Sequence, residues 1–136
     1  MNVEHRMCLR GDVPVFSERL DEIIGLFPEF TWSRTLEVAR EEIIESTMDL
    51  DLWDEFFVKD PSGRLVAFAV IADDNDAQVG PCLGVQWCMA FPEAPSWAIP
   101  RIHRALRKYA KRCGYGVMAY THRLGEGRYE INYVKV

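Results

Sequence analysis

The sequence predicts an α/β domain in which helices flank a mostly antiparallel central sheet. Three observations lead there. Apolar residues alternate or run continuously in six short segments, as they do in strands. Three other segments carry them at the i, i+3, i+4 spacing of a helix with one buried face. Short turns rich in Gly, Pro and Asp join successive strands into hairpins. The order is β-α-α-β-β-β-α-β-β, and 136 residues fit a single domain, 1–136.

Val3 to Leu9 is a first strand, ended by Gly11-Asp12-Val13-Pro14. Ser17 is a suitable N-cap for a helix whose inner face is Leu20, Ile23, Ile24 and Phe27, and Pro28 stops it. Ser33 can cap a second helix, with Leu36, Ala39, Ile43 and Ile44 inward and Glu37, Glu41, Glu42 and Glu45 in solvent. Leu52–Lys59 and Leu65–Ala72 form a hairpin across Asp60-Pro61-Ser62-Gly63-Arg64. The second of these is almost wholly apolar, as in a strand buried on both faces. Asp73-Asp74-Asn75-Asp76 lacks the Gly and distal Glu of a calcium loop and reads as a polar turn. Leu83–Ala90 is the next strand, with Gly84 at a bulge.

A helix over roughly Ile99–Cys113 follows, apolar along Ile99, Ile102, Leu106, Tyr109 and Ala110, with Gly114 placed for a left-handed cap. Val117–Thr121, a turn at Gly125-Glu126-Gly127, and Tyr129–Val136 complete the sheet.

Charge is unevenly placed. Residues 1–100 carry 7 Lys/Arg against 19 Asp/Glu, whereas residues 101–136 carry 9 against 2. Arg101, Arg104, Lys108, Lys111 and Arg112 lie mostly on one side of the third helix. Such a face suits docking on an acidic protein surface, including a second copy of the chain. Nucleic acid is disfavoured, because the rest of the chain is acidic and no DNA- or RNA-binding motif accompanies the helix. No apolar stretch is long enough to span a membrane, and Met-Asn-Val-Glu-His-Arg is not a signal peptide, so the expected location is the cytoplasm. Cys8, Cys82, Cys88 and Cys113 form no Cys-x-x-Cys pair, and no zinc spacing includes His5, His103 and His122. No metal is expected, and the cysteines read as reduced thiols.

The element order resembles the GCN5-related N-acetyltransferases (GNATs). In that family the fourth strand ends in a proline stretch, followed by Arg/Gln-x-x-Gly-x-Gly/Ala. Backbone N–H groups there and at the next helix start hold the acetyl-CoA pyrophosphate. Pro92 matches the strand-end proline, and the motif falls on Pro95-Ser96-Trp97-Ala98-Ile99-Pro100. The resemblance thus implies CoA contacts from Ser96, Trp97, Ala98 and Ile99. Pro95 replaces the Arg/Gln, Ala98 the first glycine, and Pro100 the last position, where it has no N–H to donate. The family's fourth helix, often bearing a tyrosine acid, has no room between the last two strands. Tyr120 and His122 are then the nearest candidates for proton transfer, and Glu55 a candidate base if buried.

Small GNAT-like proteins of tailed bacteriophages are similar in size and in the ending Gly-Arg-Tyr-Glu-Ile-Asn-Tyr-Val-Lys-Val. The favoured expectation is therefore a non-catalytic interaction or structural protein on a GNAT-like scaffold, without cofactor, in a phage virion or host cytoplasm. The alternative is an acyl-CoA-dependent N-acetyltransferase with an aberrant pyrophosphate loop. The alternative requires a V-shaped opening between the fourth and fifth strands.

Overall fold

A computed structural model describes residues 1–136. One six-stranded sheet runs in sequence order: β1 (Glu4–Leu9), β2 (Leu52–Lys59), β3 (Leu65–Asp76), β4 (Gly80–Ala90), β5 (Val117–Gly125) and β6 (Arg128–Lys135). All neighbours are antiparallel except β4 and β5, which are parallel. Three α-helices, α1 (Leu20–Leu26), α2 (Leu36–Met48) and α3 (Ala98–Arg112), cover the two faces. The predicted mixed architecture is thus observed.

Two cores result. On one face Phe16, Leu20, Ile23, Ala39 and Ile43 pack on Trp53, Phe68 and Val70. On the other, Ala98, Ile102, Leu106 and Ala110 of α3 pack on Val58, Ile71, Leu83 and Met118. Eight successive residues of β3, Leu65–Ala72, are buried because both faces are covered. The α3 terminus closes as a Schellman motif: Gly114 has φ +83°, its N–H bonds the Lys111 carbonyl, and the Tyr115 N–H reaches Ala110.

Local departures have physical causes. Pro14 starts a 3-10 turn over Val15–Arg19, so Ser17 lies inside that turn and caps nothing. Thr35, not Ser33, caps α2 by accepting from the Val38 N–H at 3.2 Å. The rotation of α2 this sets buries Ala39, Ile43 and Thr47, leaves Ile44 half-buried and leaves Leu36 exposed. Asp73–Asp76 continues β3 as paired strand instead of turning. Gly84 is not bulged. It permits close approach, since a Cβ there would lie 3.0 Å from the Asp74 side chain. The bulge is at Gln86: Val70 pairs with Trp87 and Ile71 with Val85, which skips Gln86.

Candidate functional site

That bulge sits where the sheet opens. β4 pairs with β5 only at Leu83–Met118, Gly84–Ala119 and Val85–Tyr120. Beyond Val85 and Tyr120 the strands part, while β4 continues to Ala90 and β5 to Gly125. The extra residue bends β4 and re-aims its backbone at this point. One edge of Gln86–Ala90 is thereby left without a strand neighbour.

A groove lies on each face of the parted strands. On the α3 side, about 280 Å³ is lined by Pro100, His103, Arg104, Arg107, Met118 and Tyr120. On the α1 side, a groove of about 460 Å³ is walled by Phe27, Phe30, Trp87, Met89 and Tyr129. Gln86, Thr121 and His122 edge the second groove near the opening.

The start of α3 borders the first groove. Trp97 at the N-cap position has no side-chain cap, and the Ile99 N–H finds no backbone carbonyl. Pro100 has no N–H, and the Ala98 N–H is taken by the Pro95 carbonyl at 3.0 Å. Ala98 is fully buried against the sheet, Ser96 is exposed, and Trp97 and Ile99 are half-buried. Of the four residues assigned by resemblance to CoA contact, Ala98 therefore belongs to the core. Arg101, Arg104, Arg107, Lys108, Lys111 and Arg112 are all exposed, and none forms an ion pair. The Arg101 guanidinium stacks 4.2 Å from the Trp97 ring.

The titratable groups divide. Tyr120 is half-buried beside the opening, with its ring edge-on to His103 at 5.5 Å. His103 Nε2 lies 3.8 Å from Cys88 Sγ. Burial, and secondarily the Arg107 charge, lowers the His103 pKa, so its imidazole is neutral at physiological pH. Burial pushes the Cys88 thiol up to about 12, which makes it a poor nucleophile. His122 is exposed at the edge of the opening, two residues beyond Tyr120 on β5.

Glu55 is elsewhere. It lies on β2, separated from β4 by β3, with a side-chain exposure of 0% rather than facing solvent. Its Oε2 accepts the Val15 N–H at 2.9 Å. Arg6 Nε lies 2.6 Å from its Oε1, an ion contact outside hydrogen-bond alignment. Desolvation raises its pKa, but the group anchors the Asp12–Val15 loop and takes no part in the opening. His103 and Cys88 were read in the sequence only as a histidine outside any zinc spacing and a reduced thiol, not as neighbours at the opening. The signal for His103 was its position one residue from the buried stripe of α3, beside Ile102.

No protein-family model matches the chain, and no curated protein matches it either. Solved structures do. A Pyrococcus furiosus protein described as an acetyl transferase superposes with a TM-score of 0.60 at 16% identity, over 90% of this chain and 85% of that one. The aminoglycoside acetyltransferase AAC(6')-Iy, bound to a CoA-containing bisubstrate analogue, has a TM-score of 0.58 at 14% identity, over 93% and 84%. The chain has the GNAT fold. The aminoglycoside 6'-N-acetyltransferase of Acinetobacter baumannii shares that fold with a TM-score of 0.55 at 12% identity, over 91% and 83%. The final hairpin departs from the usual pattern, because only Glu126 and Gly127 separate β5 from β6 and no fourth helix intervenes. No helix is long and apolar enough to cross a membrane.

Proposed function

We propose that the protein is an acyl-CoA-dependent N-acyltransferase, the alternative reading of the sequence, rather than a non-catalytic particle component. The parting of β4 and β5 beyond Val85 and Tyr120, with a groove on each face, carries this reading. It supplies the V-shaped opening that the alternative requires. Neighbours sharing the fold are acetyltransferases, some of them solved with CoA.

The residues present suit a phosphate-bearing acyl donor, but by a different balance of groups. Backbone donation at the start of α3 is reduced by Pro100 and by the committed Ala98 N–H. Six unpaired cations line α3, with Arg101 and Arg104 in its first two turns. Arg104 and Arg107 line the groove and are positioned for phosphate oxygens, and the free Ile99 N–H directly precedes Pro100 of its lining. The free edge of Gln86–Ala90 offers N–H and C=O groups to the amide-bearing arm of CoA.

When bound, acetyl-CoA supplies an acyl group activated as a thioester. In the transfer, the amine nitrogen bonds to the acyl carbon, the C–S bond breaks, one proton leaves nitrogen and one reaches sulfur. His122, exposed at the edge of the opening, takes the proton from the amine. Tyr120, at the last paired position of β5, gives one to sulfur. Glu55 has no part.

Calorimetry with acetyl-CoA tests the proposal. Binding tighter than about 10 µM, weakened by Arg104→Glu, is expected. No binding at millimolar acetyl-CoA would sink it. In that case Arg101, Arg104, Lys108, Lys111 and Arg112 would return to the other role their free charge suits, contact with an acidic protein or a second copy, read by sedimentation.

A further inference from the structure

We propose that the α1-side groove is the amine-acceptor site and takes a single amine carried on an aromatic or bulky apolar body, excluding polycations. The proposal rests on the acyltransferase reading and adds the class of acceptor to it.

The groove's walls come first. Phe30 stands edge-on to Trp87 at 5.8 Å, and Phe27 lies 5.1 Å from Phe30. Phe16, fully buried, backs Trp87 at 5.7 Å, so this wall is held by the core behind it. About 460 Å³ is the size of a small-molecule site, and most of its lining is apolar. Aromatic walls bury a flat or branched apolar body well.

Charge is the second element. No Asp or Glu lines the groove, and its one permanent charge, Arg123, is already neutralised. Glu29, just behind, accepts Arg123 Nε at 2.8 Å and a second guanidinium nitrogen at 3.0 Å. It also accepts the Tyr129 hydroxyl at 2.6 Å and the Gly127 N–H at 3.3 Å. Its carboxylate accepts four hydrogen bonds and its side chain is only 8% exposed, so little of its charge is presented to a ligand. A ligand with several ammonium groups would lose hydration at each and gain no countercharge. One ammonium is tolerable, because ring faces and neutral acceptors can receive it.

Orientation is the third. The neutral polar groups of Gln86 and Thr121 sit on the residues directly after the last β4–β5 pair, Val85 and Tyr120. They place the amine at the opening, with the apolar body toward Phe27 and Phe30. Two of the fold neighbours are aminoglycoside acetyltransferases, whose acceptors are polycations. This groove is built for the opposite kind of molecule.

The test is equilibrium binding to the whole chain by calorimetry, with tryptamine, kanamycin and spermidine as probes. Saturable tryptamine binding is expected, with kanamycin and spermidine at least tenfold weaker. Two substitutions at exposed positions, which spare the core, locate it. Thr121→Lys, placing a cation at the amine end, should weaken tryptamine at least tenfold. Gln86→Glu, placing a carboxylate there, should strengthen spermidine at least tenfold. Polycations binding as tightly as tryptamine, or tryptamine indifferent to Thr121→Lys, would overturn the inference. Acetyl-CoA is titrated separately. Binding of acetyl-CoA without tryptamine overturns the acceptor class alone, whereas tryptamine binding without acetyl-CoA upholds the groove and overturns acyl transfer.

Discussion

Residues 1–100 and 101–136 use their cations in opposite ways. In the first region all seven Arg and Lys side chains end on a carboxylate: Arg6, Arg10, Arg19, Arg34, Arg40, Lys59 and Arg64. In the second only Arg123 does. Cations of the first kind are structural. Arg19, 6% exposed, joins Glu22 and Glu93, donates to the Leu65 carbonyl at 2.7 Å and lies 3.6 Å from the Phe91 ring centre. It thereby ties the β4–α3 loop to the turn before α1. Cations of the second kind crowd one helix at i, i+3 and i+4 and repel one another, at roughly 0.2–0.5 kcal/mol for each such pair. An anionic ligand would relieve that repulsion. Substitution in the first region should therefore cost stability, and in the second, binding.

Arg19→Ala should show the largest effect. It removes a buried guanidinium with three kinds of partner and orphans the Leu65 carbonyl, at a cost of about 3 kcal/mol. Urea denaturation measures this. The matched change Lys108→Ala should stay within about 0.5 kcal/mol. Equal losses would erase the distinction between the regions. Next comes the double reversal Arg104→Glu/Arg107→Glu. It should weaken acetyl-CoA roughly 30-fold, or about 2 kcal/mol, with an unchanged urea midpoint. An unchanged affinity would leave these cations without a ligand role.

How much of this could be read in the sequence follows the same division. Element order was legible because apolar period and turn chemistry are local: Asp60–Arg64, Pro28 and Gly114 each act within a few residues. The ends of β3 and β5 were not. Asp73–Asp76 and His122–Gly125 extend the strands with polar or exposed residues that carry no apolar signal. Glu55 escaped a strand residue's usual solvent exposure because Arg6, from the neighbouring strand, and the Val15 N–H come from elsewhere in the chain. The bulge at Gln86 is a matter of register between strands, not of composition, so the glycine nearby was the misleading choice. The α1-side groove gathers residues 27, 30, 87, 89 and 129, a set that only the tertiary fold assembles. The basic stripe of α3, by contrast, was plain in the sequence because helical spacing is local.

The β5–β6 hairpin, the one part of the second region tied down by charge, sharpens the comparison further. Gly127 has φ +70°, and a Cβ there would come 2.6 Å from the Trp32 ring. Gly127→Ala should cost about 1–2 kcal/mol. Adding Trp32→Ala should return the steric part and leave the backbone part, about 1 kcal/mol. A double variant no better than the single would place the whole cost in the backbone.

The smallest effect is a change of slope with pH. The Arg123 hydrogen bonds hold the Glu29 carboxyl well below the usual carboxylate range, with further help from Tyr129 and the Gly127 N–H. A depressed pKa means that the stabilisation is present above the unfolded value, about 4.3, and is lost as pH falls through the folded one. Glu55 has the opposite sign. Desolvation raises its pKa, so its contribution is present below the unfolded value and is lost as pH rises through the folded one. Urea midpoints between pH 3 and 7 separate the two. The advantage of wild type over Glu29→Gln should shrink toward pH 3. Relative to wild type, Glu55→Gln should gain most at pH 7, where the native carboxyl is burdened by its charge, and lose that gain in acid. If the advantage over Glu29→Gln did not shrink in acid, Glu29 would not hold its charge against Arg123, and the neutral lining inferred for the acceptor site would lose its cause.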